Sequence, residues 1–542
     1  MRLFPRTSLF AACATLLALG LAGPAALSAS ASPTPEKTVA KHAKKKNRGA
    51  TVNQVKVPVL PAALRAAGGM QPDKPQPYAK LTSVGTRDYG MVGVTWRKRT
   101  GNAQTKVWVR TQTNHRWSRW TRLDVDDDGN GGTRWGTEGL WIGHADGVSA
   151  VVKTVGGRAP RDIRIVLVNP GAGPAVAKLP STLKHGTVTG ATGARGSSVS
   201  FASATSLTGA LAADPATATA KKKSPASASS PYYTAQPTII TRAQWGAQAN
   251  KPCDSPQVSS RTLGVVIHHT AGSNSYTAAQ SAAIMRATQA YHMNGRGWCD
   301  IGYNYLVDRY GQIFEGRNGG VDQMVRGAHA GNFDVNTYAA GISMMGNFQV
   351  AKPPAALRKA VIRLVGWRLG TFYLSPRGKY KLDGHTFNRI EGHRDVYLSG
   401  LRPATSTDCP GKYAYAWLNG KYGLRYQVAR YLAHYNTPPK RKMLALGTAV
   451  TGAVYMGEYR TAGGRKVIMD NGEILSKPGL GPARWVTGAI RTKYDAAGAE
   501  GSVFGFPTAD ATTTGTVTTQ TFEHGSIAFD SATGVYTTNP VV

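Results

Sequence analysis

The sequence predicts a multidomain protein with an N-terminal all-β module, a central α/β domain and a small β-rich repeat region. Its 542 residues are too many for one hydrophobic core, so about two to four domains are expected. Two segments of biased composition separate them. Residues 32–76 are rich in Lys, Pro and Ala, and we interpret them as a basic disordered tether. Residues 176–235 are rich in Ala, Ser, Thr and Gly, which is typical of a flexible linker.

The N-terminus carries an export signal. Two arginines, Arg2 and Arg6, precede the apolar run Leu9–Leu21, and the small-residue segment ALSASAS follows. This pattern predicts a secretory signal peptide over residues 1–31. A membrane anchor is the alternative, and we disfavour it because the run is short and rich in alanine. We therefore expect a secreted, extracellular protein.

The charge balance indicates an anionic partner. The chain has 65 Lys and Arg against 29 Asp and Glu, a formal net charge of +36. Such a protein binds polyanions, which include nucleic acid, anionic membranes and the polymers of a bacterial wall. Export from the cell makes nucleic acid an unfavourable partner. Because the sequence has no further long apolar segment, we expect no stable membrane insertion. We expect association with anionic cell-wall polymers, and the oligomeric state stays open.

Residues 77–175 show the pattern of an all-β module. Runs such as MVGVTWRK, KVWVRTQT and RIVLVNP alternate with period two, which predicts a β-sandwich-like fold. Within it, Asp124, Asp126 and Asp128 match the opening of a calcium loop. The twelfth position of that loop is Trp135 instead of a glutamate. We favour a solvated acidic turn and keep calcium binding as the alternative.

Residues 236–436 alternate strand-like and helical patterns, as an α/β domain does. The expected elements, in order, are a buried strand at GVVIHH, an amphipathic helix over 277–293, a hairpin turning at Arg309-Tyr310-Gly311, and a helix opened by Pro353 and Pro354.

The tail, residues 437–542, repeats a theme. LGTAVTGAV with DNGEIL is echoed by FGFPTADAT with EHGSIAF, which predicts a small β-rich repeat unit. The second copy resembles LGFP repeats, and this resemblance implies a second contact with the cell wall.

Three separate motifs carry residues that bind metals. They are VVIHHTAG with His268, IEGHRDV with His393, and STDCPG with Cys409. Two neutral imidazoles and one thiolate leave a fourth tetrahedral position open, which is typical of a catalytic zinc site. Such a site suits the hydrolysis of an amide.

The cysteine count agrees with this interpretation. Cys13 leaves with the signal peptide, so Cys253, Cys299 and Cys409 remain. If Cys409 binds zinc, Cys253 and Cys299 are left to form a disulfide, as an oxidising compartment allows.

The region around these motifs resembles a known family. The block from Ile239 to Leu432 is similar to the peptidoglycan recognition proteins, the T7-lysozyme-like zinc N-acetylmuramoyl-L-alanine amidases. The similar segments are RAQWGA, VVIHHTAGS, WCDIGYNYLVDRYGQIFEGR, RGAHAGNF, GISMMGNF, GHRDV and STDCPG. The resemblance implies a mixed β-sheet flanked by helices. The all-β module also resembles the N-terminal region of secreted actinobacterial members.

The resemblance implies roles for individual residues. Zn²⁺ would be held by His268, His393 and Cys409, with Tyr303 and Thr407 as catalytic residues. The phenol of Tyr303 would either donate to the developing oxyanion or hold the attacking water. The hydroxyl of Thr407 would reach the same oxygen.

Four further residues are candidates for substrate binding. His329 would line the substrate cleft, with a loop histidine as the alternative. Arg317 would bind a stem-peptide carboxylate, with a surface ion pair as the alternative. Trp245 would be a sugar platform unless it is a packing residue, and Asn332 lies in a segment that is longer than usual in the family.

Taken together, these features predict a secreted zinc amidase that cleaves the bond between N-acetylmuramic acid and L-Ala of peptidoglycan. The alternative from another class is a peptidoglycan-binding protein without catalysis, for which the presence of Cys409 is unfavourable. A zinc endopeptidase that cuts within the stem peptide is the third reading.

Overall fold

The computed structural model describes residues 49–61, 76–98, 104–126, 132–155, 160–174, 236–253, 255–259, 261–404, 406–461 and 463–540. The signal peptide prediction and the linker prediction lie outside the described residues. None of the described helices combines the length and the apolar character that crossing a bilayer requires.

The β module is one antiparallel sheet of nine strands. Its main order is β1-β9-β2-β8-β3-β4, while β5 pairs with β3, β7 with β2, and β6 with β7. The strands are β1 Thr51–Lys56, β2 Gln76–Arg97, β3 Gln104–Thr113, β4 Arg116–Trp117, β5 Thr121–Leu123, β6 Val125–Asp126, β7 Arg134–Thr137, β8 Leu140–Val155 and β9 Arg164–Asn169. The all-β prediction is confirmed, although hydrogen bonds link the strands into one sheet instead of two. Register shifts between β2 and β8 mark bulges or irregularities, and bulges bend the strands that carry them.

The tether prediction is wrong for residues 49–61. Strand β1 pairs with β9 over its whole length, and Val57 just after it is only 2% exposed. The segment TVNQVK has only two valines and follows a lysine-rich segment, so the sequence pattern did not indicate a strand. The ordered β module therefore begins earlier than predicted.

The central domain contains a mixed six-stranded sheet, as predicted. Its order is β10-β13-β12-β14-β11-β17. The pair β12–β13 is antiparallel, and the other neighbouring pairs are parallel. The strands are β10 Ile239–Ile240, β11 Gly264–His269, β12 Tyr305–Val307, β13 Ile313–Glu315, β14 Ala339–Met344 and β17 Ile390–Gly392, with a separate hairpin of β15 Lys379–Leu382 and β16 His385–Asn388. The predicted hairpin is β12–β13, and Gly311 takes a φ of 85° in its turn.

Helices cover both faces of this sheet. They are α1 Arg242–Trp245, α2 Ser281–Ala290, α3 Phe333–Tyr338, α4 Ala355–Gly370, α5 His393–Leu398, α6 Lys412–Asn419 and α7 Leu424–Ala433. A 3₁₀ turn, Ala278–Gln280, precedes α2 and a π-helical turn, Tyr291–Gly295, follows it. Helices α4, α6 and α7 share one apolar cluster with the sheet. The predicted helix after Pro354 is confirmed, because Pro354 is the N-cap of α4.

The β module packs against the other face of this domain. Met91, Trp141, Val166 and Val168 of the module belong to the same buried cluster as residues of α2. Helix α2 was predicted to bury one face, yet nine of its ten residues are buried, because the module covers its outer side. The two regions therefore share a core.

The C-terminal region is β-rich, as predicted. Its two antiparallel sheets are β18 Val454–Thr461, β19 Gly464–Met469, β20 Gly472–Ser476 and β21 Arg484–Thr487, then β22 Thr512–Thr514, β23 Val517–Phe522, β24 Gly525–Asp530 and β25 Val535–Asn539. The helices here are α8 Pro438–Leu446, α9 Thr448–Thr451 and α10 Gly488–Ala497, with a 3₁₀ turn at Ala499–Gly501. Gly472 and Gly525 each begin the third strand of a sheet. The assignment as LGFP repeats stays a prediction.

A buried carboxylate joins this region to the central domain. Glu458 of β18 is 5% exposed and accepts hydrogen bonds from the Tyr373 hydroxyl at 2.6 Å and the Thr437 hydroxyl at 2.5 Å. Its backbone N–H also donates to the carbonyl of Thr371. These bonds satisfy a charge that would otherwise be costly to bury.

Candidate metal centre

The three predicted metal ligands lie together. His268 is near the end of β11, His393 is the first residue of α5 after β17, and Cys409 lies in the loop before α6. One donor atom from each lies within 4.8 Å of the others, and all three residues are buried. Because β11 and β17 are parallel neighbours, their carboxyl ends deliver the two histidines to one edge of the sheet.

The hydrogen bonds of His268 determine which nitrogen is available to a metal. Nε2 of His329 lies 3.2 Å from the carbonyl of Ala339, and a carbonyl can only accept, so this nitrogen carries the proton. Nδ1 of His329 therefore accepts from Nε2 of His268 at 3.0 Å. The remaining Nδ1 of His268 keeps its lone pair and lies 3.7 Å from the Cys409 sulfur. This tautomer presents a ligand atom to the centre of the cluster.

Burial keeps these imidazoles neutral. It lowers the pKa of His268 well below the ordinary value, and the nearby His393 lowers it further. Burial, together with His393, also lowers the pKa of His329 to about 3. Neutral imidazole is the form that binds a metal.

Two hydrogen bonds hold Cys409 in its loop. Its sulfur accepts the backbone N–H of His269 at 3.4 Å. Its own N–H donates to the hydroxyl oxygen of Thr407 at 3.1 Å. The Thr407 side chain thus fixes the turn that carries Cys409.

Tyr303 lies next to the cluster. Its ring centroid is 5.2 Å from that of His268, and it is 3% exposed. Its hydroxyl donates to Oε1 of Glu138 at 2.8 Å. Glu138 belongs to the β module, 165 residues away in sequence. Sequence reasoning missed this residue, since no local motif marks it.

Two of the four candidate substrate residues have structural roles within the domain. Trp245 is 0% exposed and its indole N–H donates to the carbonyl of Glu315 at 2.7 Å, so it is a packing residue. The side-chain oxygen of Asn332 accepts the N–H groups of Asp334 and Val335. It serves as the N-cap of α3.

His329 and Arg317 are also buried. His329 supports His268 through the bond described above, and the rings of the two residues lie 4.9 Å apart. Arg317 is 8% exposed and donates to the carbonyl of Ile301 at 3.2 Å. Its burial contradicts the alternative of a surface ion pair, because the side chain is not at the surface.

The disulfide prediction is confirmed. Cys253 and Cys299 are bonded, with Cα atoms 5.8 Å apart. The bond ties the segment after α1 to the segment after the π-helical turn. Among the described cysteines, Cys409 is the free one, and it is buried.

The acidic turn at Asp124 lies partly outside the described residues, since 127–131 are not described. Oδ2 of Asp124 lies 3.4 Å from Nε2 of His269. Nδ1 of His269 accepts the N–H of Phe348 at 3.1 Å, so Nε2 carries the proton and faces the carboxylate. Asp124 thus lies close to the central domain, although these two atoms have no hydrogen-bond partner among the described residues. Calcium binding stays a prediction.

Comparison with known proteins identifies the family. The family described as "N-acetylmuramoyl-L-alanine amidase" matches residues 259–412, and the one described as "Rv3811 N-terminal galactose-binding domain-like" matches residues 44–178. Peptidoglycan recognition protein 1 of Bos taurus is 38% identical over 159 residues, which cover 29% of this chain and 75% of the bovine protein. The chain belongs to the peptidoglycan recognition protein family.

Other members of the peptidoglycan recognition protein family are similar over the same domain. Peptidoglycan-recognition protein SC1a/b of Drosophila simulans is 32% identical over 182 residues, covering 34% of this chain and 84% of that protein. A solved structure of human PGRP-IBETAC in complex with glycosamyl muramyl pentapeptide has 27% identity and a TM-score of 0.28, covering 34% of this chain and 97% of that one. This member of the family thus joins a galactose-binding-like β domain to an amidase-family domain.

Proposed function

We propose that the protein is a zinc-dependent N-acetylmuramoyl-L-alanine amidase. It hydrolyses the amide between the lactyl group of N-acetylmuramic acid and L-Ala of the stem peptide. The observation that carries this proposal is the buried cluster of His268, His393 and Cys409, whose donor atoms lie within 4.8 Å of one another. The family named for this activity matches the segment that holds the first two ligands and Cys409.

The donor set fits Zn²⁺. Two imidazoles and a thiolate form a three-ligand set that leaves one tetrahedral position for substrate or water. When bound, zinc polarises the scissile carbonyl and lowers the pKa of water. His329 orients His268 through Nε2, and the N–H of His269 supports the Cys409 sulfur.

The hydroxyls near the cluster have distinct roles in this proposal. The Tyr303 hydroxyl donates its hydrogen bond to Glu138, and its oxygen would accept a hydrogen bond from the attacking water. Of the two roles expected for Tyr303, this bond favours holding the water. Thr407 accepts from the N–H of Cys409 and retains its own O–H as a donor toward the oxyanion.

Binding of peptidoglycan without cleavage is the second candidate. It is favoured by the relatives named as recognition proteins. The complete ligand set, including Cys409, favours hydrolysis, because a protein that only binds has no need of a thiolate beside two histidines.

The test combines metal content with product analysis. Purified full-length protein should contain about one zinc per chain and release free stem peptide from isolated wall, leaving unsubstituted glycan. Cys409→Ser should reduce turnover by at least about a hundredfold through loss of the metal's electrostatic contribution, while binding to wall is retained.

Ser406→Ala is the matched control, since Ser406 is an exposed neighbour in the same loop and should leave turnover unchanged. A zinc-loaded protein that binds wall and releases nothing would establish the binding function. Fragments cut within the stem peptide would establish an endopeptidase instead.

We extend the proposal to location. A secreted protein with a net charge of +36 is attracted to the anionic polymers of the wall that holds its substrate. The basic segments and the C-terminal region would then keep the catalytic domain near its substrate.

A further inference from the structure

A carboxylate from the β module reaches the candidate active site. Glu138 lies in the connection between β7 and β8, and its Oε1 accepts the hydrogen bond of the Tyr303 hydroxyl at 2.8 Å. Tyr303 in turn lies beside His268, with ring centroids 5.2 Å apart. The amidase-family domain and the β module therefore meet at the reacting centre.

The connection that carries Glu138 is firmly held. The carbonyl of Thr137 accepts the Tyr291 hydroxyl at 2.7 Å in a buried bond. The N–H of Glu138 donates to the carbonyl of Asp124 at 2.8 Å. Both neighbours of Glu138 along the chain, Thr137 and Gly139, are buried. The carboxylate thus projects from a fixed backbone.

A second carboxylate of the same segment lies near the metal-binding strand. Asp124, which is bonded to Glu138 through the backbone, places Oδ2 3.4 Å from Nε2 of His269. His269 is adjacent to His268 on β11 and is 1% exposed. Two carboxylates of the module therefore lie at the candidate site: Glu138 beside Tyr303 and Asp124 beside His269.

The other glutamates near the zinc motifs have different partners. Glu391, two residues before His393, is 1% exposed and accepts the hydroxyl of Tyr380 at 2.9 Å. Glu315 accepts the backbone N–H of Arg242 at 2.9 Å. Glu138 is the described carboxylate that accepts from Tyr303.

The chemistry of this bond defines a role. A phenol has one proton and can also accept. When a carboxylate accepts the hydrogen bond of the phenol, the phenol oxygen becomes a better acceptor, because hydrogen bonds in a chain polarise one another. Without the carboxylate, the hydroxyl can rotate, so the direction of its lone pairs toward the attacking water is no longer fixed.

We propose that Glu138 is a positioning residue of the amidase reaction, which fixes Tyr303 as the acceptor for the attacking water. This inference rests on the proposed function. It makes the β module a part of the active site, so that the amidase-family domain is incomplete without it.

The test is a double-mutant cycle in the full-length protein, measured on soluble muropeptide. Glu138→Ala should lower kcat by about tenfold to a hundredfold, the cost of misorienting a reacting group, with KM changed less than about twofold. Glu138→Gln keeps the shape but accepts more weakly, so its kcat should be intermediate. In a Tyr303→Phe background, Glu138→Ala should have no further effect on kcat, since its partner is gone.

The controls separate this role from a structural one. Asp88→Asn removes an exposed carboxylate of the same module and should leave kcat and KM unchanged. If Glu138→Ala acts by unfolding the module, its effect will persist in the Tyr303→Phe background and the inference fails. If both Glu138 variants are as active as wild type, the inference is also overturned. If both are more active, it is overturned as well, and Glu138 instead restricts access to the site. An active wild type with an insensitive Glu138 refutes this inference alone, whereas an inactive wild type refutes the proposed function and this inference together.

Discussion

His268 is held between two partners that use different ring nitrogens. His329 accepts from Nε2, and Nδ1 lies 3.7 Å from the Cys409 sulfur. The His329 ring fits because its neighbours are small: a Cβ at Gly327 or Gly341 would overlap it. The sequence motif marks His268 as a ligand, but its tautomer is fixed by a residue 61 positions away.

Loss of His329 should weaken metal binding without removing a ligand. His329→Ala leaves Nε2 of His268 without its acceptor, so both the tautomer and the ring orientation become less defined. We expect zinc affinity to fall by about tenfold to a hundredfold, as for other partners of metal-bound histidines. Competition with a chromophoric chelator measures this. His434→Ala, at an exposed position after α7, is the control, and equal affinities of the two variants would contradict the role of His329.

The residues that sequence could assign are those whose chemistry is local. His268, His393 and Cys409 each lie in a short motif. The convergence of the two histidines follows from the pairing of parallel strands, whereas Cys409 is brought in by the loop before α6. For Trp245 the packing alternative applies, and Asn332 caps a helix. Their motifs do not reveal these roles, because burial and helix capping depend on what packs around a residue. A tryptophan in a motif gives no sign that another strand will accept its indole proton.

The sequence of strand β9 partly indicates that the β module packs against another part of the protein. Its residues alternate between two cores: Ile165 and Leu167 face the module's own core, while Val166 and Val168 join the cluster with α2. The pattern of RIVLVNP predicts an alternating strand, but its residues 165–168, IVLV, are all apolar, which is typical of a strand buried on both faces. The run therefore indicated a second packing partner, but it did not indicate which element would provide it.

Close approach of β2 to the π-helical turn depends on Gly93. A Cβ at this position would overlap the ring of Tyr291, which is 1% exposed and bonded to Thr137. Gly93→Ala should therefore destabilise the protein by about 1–3 kcal/mol through overpacking, measured by denaturant unfolding. Gly85→Ala, on the same strand with nothing within 4 Å of an added Cβ, should change stability by less than about 0.5 kcal/mol. Equal effects of the two variants would show that the interface tolerates the extra methyl group.

Over the whole molecule, the candidate site is assembled from two sequence regions separated by residues 175–235. Hydrophobic periodicity predicted the fold classes of both regions, and composition marked the segment between them. A biased segment between two domains gives no information on whether the domains pack together. Glu138 reaches Tyr303 only through that packing. The contacts around the candidate site therefore involve a larger part of the chain than the matched amidase segment, residues 259–412.

The net charge of the molecule should govern its retention on the wall. Because the Debye length falls from about 10 Å at 0.1 M to about 3 Å at 1 M salt, affinity for isolated wall should drop at least about tenfold over this range. Replacing the basic runs Lys44-Lys45-Lys46 and Lys221-Lys222-Lys223 by serine should lower the affinity at low salt, since the first run lies in the predicted basic tether and the second in the predicted flexible linker. Cosedimentation with purified wall measures both effects. The serine variant should hydrolyse a small soluble muropeptide as fast as wild type, because these lysines lie outside the described site. Retention that does not depend on salt would show that charge does not hold the protein on the wall.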